Sequence, residues 1–235
     1  MAATDCSFAD RAAYLPAADA LVLADLHLGK AHASSVEFPL NEGAGMADRL
    51  GGLLDRFDPA TVVFAGDVLH SFTTVPVPAR EALADLADRV TAQADLRLVS
   101  GNHDTQLERV AERVADLPVA DAVELDDGTV VCHGHEEPQP GADRYVVGHD
   151  HPTIDIEGRT HPCFLYGPGA YRGSDVLVLP AFTTLAAGMT VNRMRGSDFQ
   201  TPLVTDPDRF HPIVRDESGD ETLRFPPLGE FRRLL

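Results

Sequence analysis

Ala20-Leu21-Val22-Leu23-Ala24-Asp25-Leu26-His27, Thr61-Val62-Val63-Phe64-Ala65-Gly66-Asp67 and Leu96-Arg97-Leu98-Val99-Ser100-Gly101-Asn102-His103-Asp104 share one plan. A short, mostly apolar run ends on carboxylates, imidazoles or an amide. Runs of this length read as buried strands. Helical patterns lie between and after them. One runs from about Ala44 to Phe57, with Met46, Leu50, Leu53, Leu54 and Phe57 on one face. A second opens at Pro78 and continues to about Val90, and a short third covers Thr105 to Val114.

From Val119 onward strands and turns dominate, with strands expected at 122–125, 129–132, 145–147, 153–156, 163–166 and 176–179. Asp127-Gly128 and Glu157-Gly158 read as hairpin turns. An α/β first half joined to a strand-rich second half predicts a mixed α/β (α+β) fold of two stacked sheets flanked by helices. One domain over 1–235 is expected, with 195–221, including the acidic run Asp216 to Glu221, as a surface excursion.

Composition narrows the class. The 235 residues are 44% hydrophobic and 24% charged, with a mean hydropathy of −0.10, which excludes a disordered tail or a multi-span membrane protein. No apolar stretch approaches the roughly 20 residues of a bilayer span, and the acidic start lacks the marks of a signal peptide. A cytoplasmic protein without a membrane partner is expected. Thirty-seven acids against nineteen bases leave −18, and Lys30 is the only lysine. That balance reads as adaptation to a salt-rich cytoplasm, where hydrated carboxylates keep the surface soluble. At molar salt the screening length falls to about 3 Å, so charge alone does not exclude DNA or RNA. Cys6, Cys132 and Cys163 are far apart and form no CxxC pair, which argues against a thiolate zinc site or a disulfide framework.

The strand ends carry the chemistry. Two later loops, His133-Gly134-His135 and Gly148-His149-Asp150-His151, repeat the pattern, and six of the ten histidines lie in such loops. Loops at strand carboxyl ends gather at one sheet edge, where α/β folds build their sites. In an extended segment residues i and i+2 point the same way, so Asp25 and His27 can hold one ion together. His149 and His151 can do the same, or serve two neighbouring ions. Mixed carboxylate, imidazole and amide donors suit Mn, Fe, Zn or Ni better than calcium. Two such ions about 3.5–4 Å apart serve hydrolysis by in-line displacement.

Asp25-x-His27, Gly66-Asp67, Gly101-Asn102-His103-Asp104, His133-Gly134 and Gly148-His149-x-His151, in that order, resemble the five motifs of the calcineurin-like metallophosphoesterase superfamily. The segments Ala24 to Lys30, Gly66 to Phe72, Gly148 to Pro152 and Leu177 to Phe182 look closest to its ICC-like branch. That branch includes archaeal SbcD-related and bacterial DNA-ligase-associated, PdeM-type phosphoesterases. The resemblance implies a four-layer αββα sandwich of two mixed sheets flanked by helices. It implies one divalent ion on Asp25, His27 and His151 and another on Asn102, His133 and His149, with Asp67 bridging and Mn²⁺ the expected metal. His103 would be the catalytic non-ligand histidine, with Asp104 holding its ring or capping the next helix.

The function implied is phosphoester hydrolysis by a water or hydroxide bridging the ions. The substrate would be a phosphodiester of DNA, RNA or a cyclic nucleotide, beside a DNA-repair partner. A small-metabolite phosphomonoesterase and a silent metal-binding scaffold are the alternatives, and the oligomeric state is left open. His135 and His70 are candidate substrate contacts, as are Arg172 and Arg193 for bidentate phosphate binding. His32, His161 and His211 read as ordinary surface or turn histidines.

Overall fold

Alternation along each strand decides which layer its side chains join. In β3 (Ala20–Leu23), Leu21 and Leu23 face one core and Ala20 and Val22 another. In β4 (Thr61–Ala65), Val62 and Phe64 part from Val63 and Ala65 in the same way. The structure is a computed structural model describing residues 5–30, 42–71, 74–139 and 141–233. His32 and Phe72 of the sequence reading lie outside the described residues.

The first sheet has the order β1 (Ser7–Ala9), β2 (Ala12–Leu15), β3, β4, β5 (Asp95–Val99), β6 (Val119–Ala120). Its strands β3 to β6 are parallel, and the β1–β2 hairpin adds antiparallel edge strands. The large residues Leu21, Leu23, Phe64 and Leu98 pack under α1 (Glu42–Phe57), α2 (Val77–Thr91) and α3 (Leu107–Ala115). Its other face carries small residues such as Ala13, Ala20, Val22 and Ala65. Those admit Val131, Val146, Phe164 and Leu177 of a second sheet. Small side chains on one sheet against larger ones on the other let the two pack closely.

The second sheet runs β16 (Glu221–Arg224), β15 (His211–Asp216), β12 (Phe164–Tyr171), β13 (Ser174–Val178), β9 (Arg144–Val147), β8 (Thr129–Cys132), β7 (Ala122–Glu124). Strands β8, β9 and β13 are mutually parallel in this order. Its outer face buries Tyr145, Val147, Leu165 and Val178 beneath Leu203, Phe210, Leu228 and Phe231. The two-sheet architecture agrees with the expectation. A small third sheet of β11 (Arg159–Pro162), β10 (Pro152–Ile156) and β14 (Met189–Thr190) was not foreseen.

Segment 195–221 is not a surface excursion. Phe199, Leu203, Val204, Phe210 and Val214 are buried in the outer core, and Ile213 lies between the sheets. Exposed residues such as 195, 197, 198, 205, 206, 208 and 209 alternate with these, and exposed residues 217–220 turn the β15–β16 hairpin. The two large sheets meet where their parallel strands end. A parallel bridge pairs Ala24 with Ala181, and the Phe182 N–H donates to the Ala24 carbonyl at 2.8 Å. No described helix is long and apolar enough to cross a membrane.

Candidate metal centre

Five strand ends converge at that seam: β3 into Asp25, β4 into Asp67, β5 into Asn102, β8 into His133 and β9 into His149. Backbone hydrogen bonds stitch the loops together. The Asp25 N–H donates to Gly66, His27 to Asp67, and Gly148 to His133, at 2.8–3.1 Å.

The backbone here is not extended. Asp25, His27, Asp67, His149 and His151 all have positive φ, between 45° and 74°. The i, i+2 argument assumed the wrong geometry: left-handed turns, not pleated strand, bring Asp25 and His27 to one place. Each such conformation costs a non-glycine residue about 1–3 kcal/mol, and clusters of them mark functional sites. Gly66 (φ +82°) completes the turn after β4, and a β-carbon there would overlap the His133 ring.

The donors fall into two groups. Around His151 Nε2 lie Asp25 Oδ1 at 3.2 Å and His27 Nε2 at 3.3 Å. Around His133 Nε2 lie Asn102 Oδ1 at 3.1 Å, His149 Nδ1 at 3.2 Å and Asp67 Oδ1 at 3.4 Å. The second oxygen of Asp67 faces the first group, 3.8 Å from His27 Nε2. Ligands bound to one ion at about 2.1 Å stand about 3–3.5 Å apart, the spacing within each group. His149 and His151 thus serve opposite groups, one of the two arrangements their spacing allowed.

Burial sets the protonation states. It pushes His27 down to about 3 and His133 and His149 down to about 4, leaving neutral rings with free lone pairs. For His151 burial also pulls down, but the hydrogen bond and charge of Asp25 outweigh it and the pKa rises. Burial would raise Asp25, yet the His151 bond and surrounding imidazoles hold it below the usual carboxylate range. Asp67, 2% exposed, is pushed up to about 8 by burial and by the charge of Asp25. Two adjacent buried carboxylates, one holding a proton at neutral pH, are what a cation would relieve. The donor set therefore fits divalent ions.

His103 lies at the open side. Its Nε2 is 3.9 Å from Asp67 Oδ2, and its backbone N–H donates to Asp67 Oδ1 at 2.9 Å. Asp104 departs from both expected roles. Its carboxylate accepts backbone N–H bonds from Leu69 (2.8 Å), Gly101 (2.9 Å) and Val68 (3.1 Å), tying the loops after β4 and β5 together. The helix that follows is met by its backbone carbonyl, which accepts from the Leu107 N–H.

His70 stacks on His103, with ring centroids 5.2 Å apart and planes within 17°, and its Nδ1 lies 3.2 Å from His27 Nδ1. It supports the first group from behind. His135 lies beside the second group, its ring centroid 5.2 Å from that of His133. Arg172 is not brought to the site. It turns the β12–β13 hairpin at the far end of β13 and pairs with Glu137 at 2.9 Å. Arg193 is exposed on a 3-10 turn beyond β14, and no described contact links it to the cluster.

Sequence reading missed two cations and a clamp. Burial first, and the charge of Lys30 after it, lower the pKa of His27, His70 and His103, so the Lys30 charge is felt at the site. Its being the only lysine was the available signal. Arg11 donates to the carbonyls of Thr183 (2.7 Å) and Ala181 (3.2 Å) beside a cavity bordered by His151. Asp150 accepts the N–H groups of Gln200 (2.8 Å) and Thr201 (3.2 Å), fastening the ligand loop to segment 195–206.

Residues 19–162 match the family model described as calcineurin-like phosphoesterase. Among solved structures, the Pseudomonas putida nuclease MPE is similar at 28% identity and a TM-score of 0.58, covering 87% of this chain and 88% of that one. Yfce, a phosphoesterase from E. coli, is similar at 15% identity and a TM-score of 0.44, covering 88% and 98%. No curated protein sequence matches the chain.

Proposed function

The chain belongs to the calcineurin-like phosphoesterase family and is a metal-dependent phosphoester hydrolase; from that premise we propose that it is a nuclease or phosphodiesterase acting on nucleic-acid or nucleotide phosphodiesters, with Mn²⁺ as its metal. The observation that carries the reading is the division of Asp67, one oxygen toward His133 and the other toward His27. A carboxylate so placed suits two ions side by side. Asp25, His27 and His151 would hold one ion, Asn102, His133 and His149 the other, and Asp67 both. The likeness to a nuclease at 28% identity over 87% of the chain supports the diester substrate. The surplus of 37 acids over 19 bases supports work at high salt.

When bound, such ions lower the pKa of the attacking water and neutralise phosphoryl charge. The chain's own residues do the rest. Burial keeps three imidazoles neutral and ready to ligate. With Nε2 of His27 as the ligand atom, its Nδ1 carries the hydrogen and donates to His70 Nδ1, which fixes the ring. His103, on the open side, is placed at the departing oxygen, as its proton donor or as a stabiliser of the charge that develops there. Lys30 adds positive charge where an anionic substrate arrives.

The test compares turnover of bis-p-nitrophenyl phosphate, p-nitrophenyl phosphate and an oligonucleotide with Mn²⁺ at molar salt, with Asp67→Asn as control. Diester and oligonucleotide hydrolysis that exceeds monoester hydrolysis, and vanishes in the control, is expected. Turnover of the monoester alone would make the protein a phosphomonoesterase instead.

A further inference from the structure

A cleft of about 630 Å³ opens between α2 and α3, the helices that follow the loops after β4 and β5. Thr74 and Gln106 form its top, four and three residues along the chain from the stacked pair His70 and His103. Its walls carry three guanidinium groups, Arg80 from α2 and Arg109 and Arg113 from α3. Val77 and Val110 contribute apolar surface between them, and Val77 is 54% exposed.

What sets these arginines apart is that three of them line one cleft. Seven arginines, at 49, 56, 89, 97, 172, 215 and 232, form ion pairs with carboxylates. Among the described residues none pairs with Arg80, Arg109 or Arg113, although Glu81 borders the same cleft. Arg89, on the same helix as Arg80, is held by Asp85. Arg109 and Arg113 stand one turn apart on a single helix face, a like-charge spacing that weakens an isolated helix. In a chain of net charge −18, three guanidinium groups without described carboxylate partners gathered in one cleft form a local cationic patch that an anion would complement.

We propose that this cleft binds the single-stranded continuation of a nucleic-acid substrate, its phosphates on Arg80, Arg109 and Arg113 and its bases over the apolar floor. The inference rests on the nuclease reading and names the form of substrate that reading leaves open. Arg109 and Arg113 are about 6 Å apart along the helix axis, so they can meet successive phosphates of an extended strand. Guanidinium groups grip phosphate oxygens in pairs, and base faces pack on apolar surface without regard to sequence. A duplex would hide its bases from such a floor. The strand runs from the reacting phosphate past His70 and His103 into the cleft.

The experiment pairs wild type with the triple variant Arg80→Ala, Arg109→Ala, Arg113→Ala. Substrates are a single-stranded 12-mer and bis-p-nitrophenyl phosphate, with Mn²⁺ between 0.2 and 1 M salt. The expected result is a roughly tenfold or greater rise in KM for the 12-mer. The slope of log(kcat/KM) against log salt should flatten by about 2, near 0.7 for each lost phosphate contact. Turnover of the small diester, which cannot reach the cleft, should stay unchanged and shows that the variant folds. Equal 12-mer KM and salt slope in both proteins would overturn the strand path while leaving the nuclease reading intact. If wild type turns over the small diester but never the 12-mer, the nuclease reading and this inference fall together. A fall in solution mass in the triple variant with unchanged 12-mer KM would assign the cleft to a second copy of the chain and overturn the inference.

Discussion

His103 and Asp67 lie 3.9 Å apart, and if Asp67 is the shared ligand and His103 a non-ligand, as proposed, their removal should read differently. His103→Ala should keep close to normal metal content and lose about 10²–10⁴-fold in turnover. The loss should shrink for a good leaving group such as p-nitrophenolate, which needs little protonation; a loss independent of leaving group would make His103 a charge stabiliser instead. Asp67 also controls the metal-free protein. Its folded pKa of about 8 lies above the unfolded value near 3.9, so the folded state holds a proton that the unfolded chain has released. That contribution is present at low pH and disappears as pH climbs through 8. The depressed histidines, His27, His70, His103, His133 and His149, act in the opposite sense until the unfolded chain has released their protons, above about pH 7.5, whereas raised His151 acts in the same sense as Asp67. Thermal unfolding in chelator should show stability falling between about pH 7.5 and 8.5, by up to about 1.4 kcal/mol per pH unit per group. Saturating Mn²⁺ should abolish the slope, since the cation takes the proton's place. A slope unchanged by metal would place Asp67 outside the metal's reach.

The loops act as elements because Asp104 joins them. Asp104→Ala leaves the N–H groups of Val68, Leu69 and Gly101 without their acceptor, and should cost about 3 kcal/mol in stability. That cost should be the same, within about 0.5 kcal/mol, whether residue 103 is His or Ala. A cost that drops in the His103→Ala background would restore Asp104 to the ring of His103. Sequence made the ligand loops legible because each follows a strand ending in a chemically loaded triplet. It did not reveal their left-handed turns, since Asp and His visit positive φ far less readily than Gly. The β1–β2 hairpin was missed for a related reason. Its turn places Asp10 and Arg11 at φ 41° and 66°, where Asn-Gly would be the usual signal. Glu157-Gly158, with Gly in place, was read correctly.

At the scale of the molecule, the layered core was readable wherever hydrophobic period was clear, as in Leu21 and Leu23 against Ala20 and Val22. Segment 195–216 was not, because Phe199, Leu203, Val204 and Phe210 are spaced without helical or strand period and gain their burial from the second sheet. The excess of 37 acids over 19 bases predicts that the thermal midpoint rises as potassium chloride goes from 0.2 to 3 M; a flat or falling midpoint would remove the salt-adapted reading.

If one buried carboxylate, divided between two histidine groups, organises two divalent ions for phosphoester hydrolysis, metal content and turnover must change together. Metal analysis of the purified protein after equilibration with Mn²⁺, with diester turnover read on the same sample, should find two ions per chain in the wild type, and reduced occupancy with turnover lost in Asp67→Ala. Full turnover from protein shown to hold no metal, or from a variant that retains only one ion, would rule out the shared carboxylate.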